Sequence, residues 1–402
     1  MPELELFQSA LGLVAPWRVV GSDFDLKAGQ LDLQIDFPRG ARFACPACGN
    51  PCPVYDTEDK SWRHLNFFQY RTLIHARLPR VECESDGIRQ VEAPWARPGS
   101  GFTVLFEALV LVLAREMPIH ASSRLFGEHD NRIWRIVHFH VERARAREDW
   151  SGVHRVGMDE TSRRRGHHYV SMFVDLDRVK VLFASPGRDA ESLGRFKADL
   201  EAHGGRGEQL SELCADMAPA YRKGAERYFP RVPITFDRYH LMQNLNRALD
   251  QVRPQEQENA SELKRSRYLW LMNPGRLSAG QRRHLVRLRR EHSQTAEAYR
   301  LKLAFQEFYL QPSSEAELYL ADWIEMAIKS GLEPIADFAC SIAEHWEGVV
   351  RWVHSRISNG VLEAISSLVQ AAKRRARGYR TTENLIAVVY LTAGKLDFGL
   401  PT

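Results

Sequence analysis

The stretch Val153–Asp177, VHRVGMDETSRRRGHHYVSMFVDLD, decides how this chain of 402 residues is interpreted. Two partly alternating apolar runs, Val153–Asp159 and Tyr169–Asp175, flank a charged segment with a glycine, which is typical of a β-hairpin. A third run, Val179–Ala184, predicts a third antiparallel strand. The pattern places Asp159 at the end of the first strand.

Helical and strand-like segments alternate after these three strands. The predicted order is helix, strand, helix, strand, over Glu191–His203, Leu210–Ala215, Ala218–Phe229 and Val232–Phe236. Asp216 and Asp237 directly follow the two strands. Aspartate is a favoured turn residue, so one such residue alone indicates no more than a turn. Several carboxylates at strand ends, however, suit Mg²⁺ chemistry on phosphodiesters.

Four segments resemble, in order, the catalytic blocks of bacterial insertion-sequence transposases of the ISL-three type. They are MDETSRRRGHHYVSMFVDLD (158–177), CADMAPAY (214–221), FDRYH (236–240) and SNGVLEAISSLVQAAKRRARGYRTTENL (358–385). The resemblance extends over nearly the whole chain, and four ordered blocks are more specific than any one of them.

The resemblance implies an RNase H-like catalytic domain with an Asp-Asp-Glu triad. Carried over to this sequence, the triad is Asp159, Asp216 and Glu363, which would hold two Mg²⁺ ions, with Mn²⁺ as a substitute. Asp237 and His240 match the Asp-x-x-His segment of the family, which implies a role near the scissile phosphate. A structural role is the alternative for His240.

Glu363 is expected one turn into a helix. Ser358 or Asn359 can cap this helix and Gly378 can end it. Its predicted buried stripe is Leu362, Ile365, Leu368, Val369, Ala372 and Ala376. Lys373, Arg374 and Arg375 follow on the same helix and are predicted to contact the DNA backbone. Glu160 is expected on the side of its strand opposite to Asp159, so it is not counted as a ligand.

A zinc site is predicted nearer the N-terminus. Cys45 and Cys48 have CxxC spacing around Pro and Ala, and Cys83 is the third candidate ligand. The related transposases usually have Cys-x-x-His at the second pair, whereas this sequence has Asp86 at the last position. Asp86 is therefore the predicted fourth ligand of a structural Zn²⁺, and Cys52 and His64 compete with it. Aromatic and basic residues interleave on this module, which suits phosphate contacts: Trp62, Arg63, His64, Arg71, Arg77 and Arg80. The alternative for about half of them is plain ribbon core and solvated arginines.

Three helices are predicted after a linker at Pro94–Gly101. The segments Phe102–Ala114, Ile119–Phe126 and Asn131–Arg147 have helical apolar spacing, with Gly127 at a turn. This order is typical of a helix-turn-helix, whose last helix suits the major groove. The predicted DNA contacts on that helix are Arg132, Arg135 and Arg143.

Asp216 and Glu363 are too far apart in sequence for a single loop in a compact domain. The intervening residues 254–350 show amphipathic helical patterns and many arginines, so we expect an all-helical insertion whose arginines contact DNA. The domains are predicted as an N-terminal segment (1–40), zinc ribbon (41–95), helix-turn-helix (101–148), first RNase H-like part (151–253), helical insertion (254–350) and final helix with tail (351–402). The fold class is thus multidomain α/β.

Composition sets wider limits. The formal net charge of +4 argues only weakly for nucleic acid, so clustering of charge matters more. The six cysteines do not form the pattern of a secreted disulfide framework. Neither a signal segment nor a long apolar run is apparent, so a cytoplasmic protein without membrane contact, associated with the bacterial nucleoid, is expected.

The functional hypothesis is a DNA transposase that binds terminal inverted repeats and catalyses Mg²⁺-dependent strand cleavage and transfer into target DNA. Because two element ends must be cut and joined, a homodimer or higher oligomer is expected. Two alternatives stay open. One is a DNA-binding regulator or inactive remnant, and the other is a metal-dependent nuclease without transposition.

Overall fold

The computed structural model describes residues 2–164, 168–257, 263–357 and 360–401. Within them the chain forms two compact units, one of residues up to 145 together with 396–401, and one of residues 146–395. In the described part of the chain, every helix is too short or too polar to cross a membrane. Ser358 and Asn359, the predicted caps, and the glycine of the predicted hairpin turn lie outside the described residues.

The first unit begins with a helix and a six-stranded sheet. The elements are α1 (Pro2–Ala10), β1 (Arg18–Asp25), β2 (Gln30–Asp36), β3 (Arg42–Ala44), β4 (Pro51–Arg63), β5 (Arg71–Cys83) and β6 (Gly87–Gln90). The strand order is β1-β2-β5-β4-β3, and β6 pairs with β5. All neighbours are antiparallel except β2 and β5, which are parallel. The N-terminal segment thus supplies a helix and two strands to this unit.

An aromatic core holds this sheet together. Trp17 lies in ring contact with Phe37, Phe43 and Trp95, at centroid distances of 5.4, 5.2 and 5.1 Å, and Trp62 contacts Trp95 at 5.4 Å. All five are buried. Large aromatic rings bury much apolar surface per residue, and here they share one core with buried aliphatic residues of the same sheet.

The prediction of phosphate contacts is wrong for Trp62 and Arg63, which belong to the core of this sheet. Trp62 and Arg63 are buried, and Arg63 donates to the carbonyl oxygen of Thr72 at 3.2 Å. Burial lowers the pKa of Arg63 to about 10. Arg77 and Arg80 form ion pairs with Asp36 and Asp56 instead. The charge of these arginines is therefore largely used within the fold.

Three helices follow in the same unit, at the predicted positions. They are α2 (Val104–Glu116), α3 (Ile119–Phe126) and α4 (Asp130–Arg145). Thr103 caps α2 by accepting a hydrogen bond from the backbone N–H of Phe106 at 3.3 Å. Gly127 ends α3 with φ = 65°, a left-handed conformation that glycine adopts without steric cost.

A buried carboxylate joins α2, α4 and the preceding linker. The fully buried Glu107 accepts hydrogen bonds from Arg97 Nε at 2.9 and 3.0 Å and from Ser100 Oγ at 2.6 Å, and it lies 2.6 Å from His140 Nε2. The Arg97 guanidinium also stacks on Phe139 at 3.8 Å. Burial alone would raise the pKa of Glu107, but the three hydrogen-bonding partners more than offset it, so the pKa is lowered.

The second unit contains a five-stranded sheet. Its strands are β7 (Arg155–Arg164), β8 (His168–Asp175), β9 (Lys180–Pro186), β10 (Glu212–Ala215) and β11 (Ile234–Phe236), in the order β11-β10-β7-β8-β9. Strands β7, β8 and β9 form the predicted antiparallel meander, and β10 and β11 run parallel to β7. The carboxyl ends of β10 and β11 therefore lie side by side.

Helices cover both faces of this sheet. On one face α5 (Glu191–Ala202) and α6 (Pro219–Tyr228) share a core with Val156, Met158 and Phe173. On the other face lie α14 (Gly360–Arg375) over β7 and α15 (Thr382–Ala393) over β9. The hydroxyl of Tyr390 on α15 accepts a hydrogen bond from the backbone N–H of Ala184 on β9, at 2.8 Å.

The chain between β11 and α14 is helical in its described part. The helices are α7 (Arg238–Gln257), α8 (Arg267–Leu271), α9 (Ala279–Glu291), α10 (Ser293–Phe308), α11 (Ala316–Lys329), α12 (Glu333–Glu344) and α13 (Trp346–Ser355). They surround an apolar core with Trp270, Tyr299, Phe305 and Trp323 fully or almost fully buried. This core also includes Phe236, the last residue of β11.

Two local predictions for the second unit are wrong. Asp159 does not end its strand, because β7 continues to Arg164. The polar residues beyond Asp159 stay extended because they pair with β8, as in Thr161↔Val170. Leu368 is not part of the buried stripe of α14, since its side chain is 53% exposed, whereas Leu362, Ile365, Val369 and Ala372 are buried.

Candidate active site and DNA-binding surfaces

Helix α14 follows β7 turn by turn. The contacts, from the N-terminal end of α14, are Leu362 against Gly157, Ser366 with Asp159, Gln370 with Thr161 and Lys373 with Ser162. One helical turn rises about 5.4 Å and two strand residues about 6.6 Å, so the first three of these contacts fall on every second residue of β7. This register fixes the height of Glu363, one turn before Ser366, relative to Asp159.

Asp159 is half-buried on the face of β7 that α14 covers. Its Oδ2 accepts a hydrogen bond from Ser366 Oγ, and its Oδ1 accepts one from the backbone N–H of Glu160 at 2.7 Å. Burial raises the pKa of Asp159, and the negative charge of Asp237 adds to this effect, while the two hydrogen bonds and His240 oppose it. The site therefore holds a carboxylate whose negative charge is incompletely compensated.

Asp216 and Asp237 stand at neighbouring strand ends, as predicted. The backbone N–H of Asp237 donates to the carbonyl oxygen of Ala215 at 2.9 Å, directly before Asp216. Asp237 is 3% exposed and its Oδ2 lies 2.6 Å from Nδ1 of His240, in the first turn of α7. This hydrogen bond is the main reason that the pKa of His240 is raised; burial opposes it, and the charges of Asp237, Asp216 and Asp159 add to it.

Glu363 is exposed in the first turn of α14 and lines a cleft with residues of α7, such as Arg238 and Tyr239. Asp159, Asp216 and Glu363 do not converge as tightly as zinc ligands do. Among the described residues, the ligand atoms of three or more His, Cys, Asp or Glu side chains lie within 4.8 Å of one another only in the cysteine cluster of the first unit.

Glu160 lies on the other face of β7 from Asp159, as predicted. It is 3.5 Å from the guanidinium of Arg188. Burial raises the pKa of Glu160, and the charge of Asp216 raises it further. Nearby, the buried Tyr221 on α6 has its hydroxyl 3.2 Å from Ser171 Oγ, and burial raises the pKa of this phenol strongly.

Sequence reasoning missed Ser366 and Gln370 as partners of β7. A helical stripe of small and amide residues carries no signal of its own, because the partner strand lies far away in sequence. Spacing from Glu363 could have indicated them: positions 366, 370 and 373 follow at steps of three and four, which places them on one helix face.

A basic groove lies at the C-terminal end of α14. Its volume is about 690 Å³, and the charged residues that line it are Arg163, Lys373, Arg374, Arg377 and Arg380. Arg377 has φ = 56°, a left-handed conformation that is costly for a residue other than glycine. Lys373 donates to the carbonyl oxygen of Ser162 at 2.5 Å, and burial lowers its pKa, so its ammonium is partly used within the fold. In the described part of the chain, Arg374, Arg377 and Arg380 form no ion pair with a carboxylate.

The predicted zinc ligands come together in the first unit. One ligand atom from each of Cys45, Cys48, Cys83 and Asp86 lies within 4.8 Å of the others. The Sγ atoms of Cys48 and Cys83 are 3.5 Å apart, and Asp86 Oδ2 is 3.4 to 3.5 Å from Sγ of Cys83 and Cys45. These thiol and carboxylate groups fit a tetrahedral Zn²⁺ site.

The two competing ligands lie outside this set. His64 Nδ1 is 2.9 Å from Thr103 Oγ1, and burial lowers the pKa of His64 to about 4. Cys52 is buried, and its Sγ is 3.4 Å from the carbonyl oxygen of Asn50.

On α4, the three predicted DNA contacts differ in their surroundings. Arg135 and Arg143 are exposed. Arg132 pairs with the buried Glu128 and stacks on Phe102 at 4.3 Å, so part of its interaction capacity is used within the fold. The exposed pair has the freedom that phosphate or base contacts require.

Comparison with known protein families assigns this chain to the transposases. Residues 156–389, more than half of the chain, match the transposase family of the ISL3 type. Residues 91–141 match the helix-turn-helix domain of transposase family ISL3, and residues 41–86 match the zinc-finger of transposases IS204/IS1001/IS1096/IS1165. The chain belongs to the ISL3 family of transposases, with a zinc ribbon and a DNA-binding helix-turn-helix before the transposase domain.

Individual relatives agree with this assignment. The transposase for insertion sequence element IS1557 of Mycobacterium tuberculosis is 26% identical over 431 residues, covering 98% of this chain and 96% of that protein. The transposase for insertion sequence element IS1001 of Bordetella parapertussis is 26% identical over 361 residues, covering 86% of this chain and 87% of that protein. The resemblance stated from the sequence is thereby confirmed.

Proposed function

We propose that this transposase has an RNase H-like catalytic domain that is interrupted, between β11 and α14, by a helical insertion at residues 254–350. The strand order β11-β10-β7-β8-β9, with three antiparallel strands followed by two parallel ones, supports this fold. The domain limits predicted from the sequence belong to the same proposal. The observation that carries the function is the hydrogen bond from Ser366 to Asp159, since it ties the helix bearing Glu363 to the strand bearing Asp159.

Asp159, Asp216 and Glu363 form the proposed Asp-Asp-Glu triad, and its chemistry fits a hard divalent cation. All three offer carboxylate oxygens, which Mg²⁺ prefers. Within the described residues, no lysine or arginine forms an ion pair with any of the three, so their charge is left for a cation. When bound, two Mg²⁺ ions would activate the nucleophile and stabilise the leaving oxygen of a phosphodiester displacement.

The surrounding residues position this carboxylate set. Ser366 holds the Asp159 carboxylate by a hydrogen bond, and the register of α14 on β7 sets where Glu363 stands. Asp237 orients the His240 ring through Nδ1 and favours its protonated form. A protonated His240 beside three carboxylates is suited to contact an oxygen of the scissile phosphate.

DNA contacts are proposed at two places. Arg135 and Arg143 on α4, with Arg132 beside them, would bind the terminal inverted repeats through the helix-turn-helix. Arg374 and Arg375, with Lys373 nearer the sheet, would contact the DNA backbone close to the triad. Zn²⁺ held by Cys45, Cys48, Cys83 and Asp86 would stabilise the ribbon. Two or more copies would act together on two element ends and on target DNA, in the bacterial cytoplasm.

A cleavage assay tests the triad. The substrate is duplex DNA carrying the sequences that flank the gene, and Asp159→Asn, Asp216→Asn and Glu363→Gln are compared with the wild type in Mg²⁺ and Mn²⁺. We expect all three variants to bind DNA without cutting it. Asp177→Asn is the control. Asp177 pairs with Arg155, the first residue of β7 and four residues before Asp159, so this substitution should not affect cleavage.

The outcomes separate the alternatives. A wild type that binds the ends but never cuts them would favour a regulator or an inactive copy. A wild type that cuts DNA irrespective of the repeats and joins none of it would favour a nuclease. Cutting that survives in any of the three triad variants would contradict the assignment of that residue.

A further inference from the structure

A cleft of about 640 Å³ opens beside Glu363. It is bounded by α7, by the segment after α8, by α10 and by the end of α13. Pockets of about 300 to 1,000 Å³ hold small organic ligands, so one nucleotide fits this space. Because Glu363 stands on its rim, an occupant of the cleft would lie next to the proposed triad.

An exposed aromatic ring stands in this cleft. Tyr239 is 49% exposed, although it follows Asp237 by two residues and its ring contacts that of His240 at 5.5 Å. Apolar side chains of Met242, Leu271 and Met272 continue the lining. A flat ring on an apolar floor suits the π-face of a nucleobase, whereas a phosphate alone would need neither.

Amide groups make up much of the remaining wall. The residues are Gln243, Asn246, Asn273 and Gln306. Oδ1 of Asn246 is buried and, in the described part of the chain, accepts no hydrogen bond. A buried acceptor without a donor is unfavourable in a folded protein. Asparagine and glutamine amides pair well with the edges of bases, particularly adenine.

Cations complete the lining. Arg276 is exposed, and in the described residues its side chain pairs with no carboxylate. The Arg238 guanidinium stacks on Tyr309 at 4.6 Å and on Trp352 at 5.5 Å, which holds it rigidly beside the cleft. Fixed positive charge next to a ring and amides matches a nucleotide, which carries a phosphate as well as a base.

We propose that this cleft receives a nucleobase adjacent to the scissile phosphate, which leaves the DNA stack and lies on the ring of Tyr239. The inference rests on the proposed function, since it takes the triad as the place of cleavage. It makes Tyr239 a substrate-contacting residue of the cleavage step and gives the helical segment a direct part in that step.

A double-mutant cycle, in which a protein variant is combined with modified DNA, tests the contact between Tyr239 and the base. Single-turnover cleavage in Mg²⁺ at saturating protein is measured for wild type and Tyr239→Ala, on intact duplex ends and on ends with an abasic site placed in turn at each position flanking the cleavage point. On intact ends we expect Tyr239→Ala to slow cleavage by about 5- to 150-fold, the range of base–aromatic stacking. On ends abasic at the inserted position, the two proteins should cleave at rates within about 2-fold of each other.

Two controls separate stacking from other effects. Tyr239→Phe keeps the ring and should recover, on intact ends, most of the cleavage rate that Tyr239→Ala loses. Tyr268→Ala removes an equally large ring that is 68% exposed on α8 and should change neither substrate's rate.

The failures are distinguishable. If the wild type cleaves but the Tyr239→Ala penalty is the same at every abasic position, or is absent on intact ends, the nucleobase contact is refuted while the triad stands. If the wild type does not cleave in Mg²⁺ or Mn²⁺, the proposed function itself fails.

Discussion

Replacing Glu107 by Gln should destabilise the helix-turn-helix strongly. The substitution keeps the shape of the side chain but removes the charge that faces Arg97, and it turns one acceptor oxygen into a donor NH₂ group. Each orientation of that amide opposes a donor, because Arg97 and Ser100 approach one oxygen while Arg97 and His140 approach the other.

The size of the destabilisation follows from the burial of Glu107 and Arg97. Glu107 has no exposed surface and the Arg97 side chain is 19% exposed, so the substitution leaves a largely buried guanidinium uncompensated. Breaking such a pair costs about 3 to 5 kcal/mol. At about 1.36 kcal/mol per factor of ten, amide protection in α2 and α4 should fall by roughly two to four orders of magnitude.

Hydrogen exchange of the full-length protein, read by mass spectrometry, measures this change segment by segment. Glu325→Gln is the matched control, because Glu325 pairs with Lys329 on an exposed face where side-chain exposures are 62% and 72%. Such a pair contributes less than about 0.5 kcal/mol, so protection in α11 should stay nearly unchanged.

Hydrogen exchange at acid pH is a second test of the Glu107→Gln prediction. The pKa of Glu107 is lowered in the folded state, so its stabilising contribution is present above the unfolded value of about 4.3 and is lost as pH falls through the folded value. The difference between wild type and Glu107→Gln should therefore shrink below about pH 4. A loss of protection below about 1 kcal/mol at neutral pH, or a difference that does not shrink in acid, would refute the reasoning.

Three further predictions concern the zinc site, Asp159 and the basic groove. Cys45→Ser should lose one equivalent of zinc by native mass spectrometry and Cys52→Ser should keep it; unchanged zinc in Cys45→Ser contradicts the ligand set. Ser366→Ala removes a hydrogen bond to a carboxylate, a loss of about 1.5 to 3 kcal/mol, so cleavage should slow by about 10- to 150-fold with DNA affinity unchanged. Because Ser366 lowers the pKa of Asp159, the acid limb of the pH–rate profile should also move to higher pH, and an unmoved limb with an unchanged rate argues against this role. The double variant Arg374→Ala/Arg377→Ala should reduce the salt dependence of DNA binding by about two phosphate contacts. Arg300→Ala should leave it unchanged, because the Arg300 guanidinium pairs with Glu297. Equal salt slopes for the wild type and both variants would contradict DNA binding at the basic groove.

The sequence was informative wherever a signal is local. Helical spacing placed α2, α3 and α4 within two or three residues of their bounds, and CxxC spacing led to Cys45 and Cys48. Period-two alternation found β8, but it ended β7 too early, because the polar strand residues after Asp159 are kept extended by pairing with β8, which composition does not record.

Contacts between distant segments could not be predicted in this way. Ser366 and Asp159 are more than 200 positions apart, and neither residue type indicates the other. Arg63 looked like a surface cation, yet it is buried, and its charged neighbour Glu128 comes from the turn after α3. Leu368 fitted an apolar stripe, but the elements packed against α14, which are β7 and α15, decide which positions of the stripe are covered.

The turn-by-turn contact of α14 with β7 also bears on how such a chain can vary. Since the place of Glu363 is set by what its helix touches, changes of length in the loops between α7 and α13 should leave Glu363 in place. A one-residue insertion between Glu363 and Ser366, in contrast, would turn that carboxylate by about 100° around the helix axis. The loops before α14 can thus vary in length, whereas the spacing between Glu363 and Ser366, within one turn of α14, cannot.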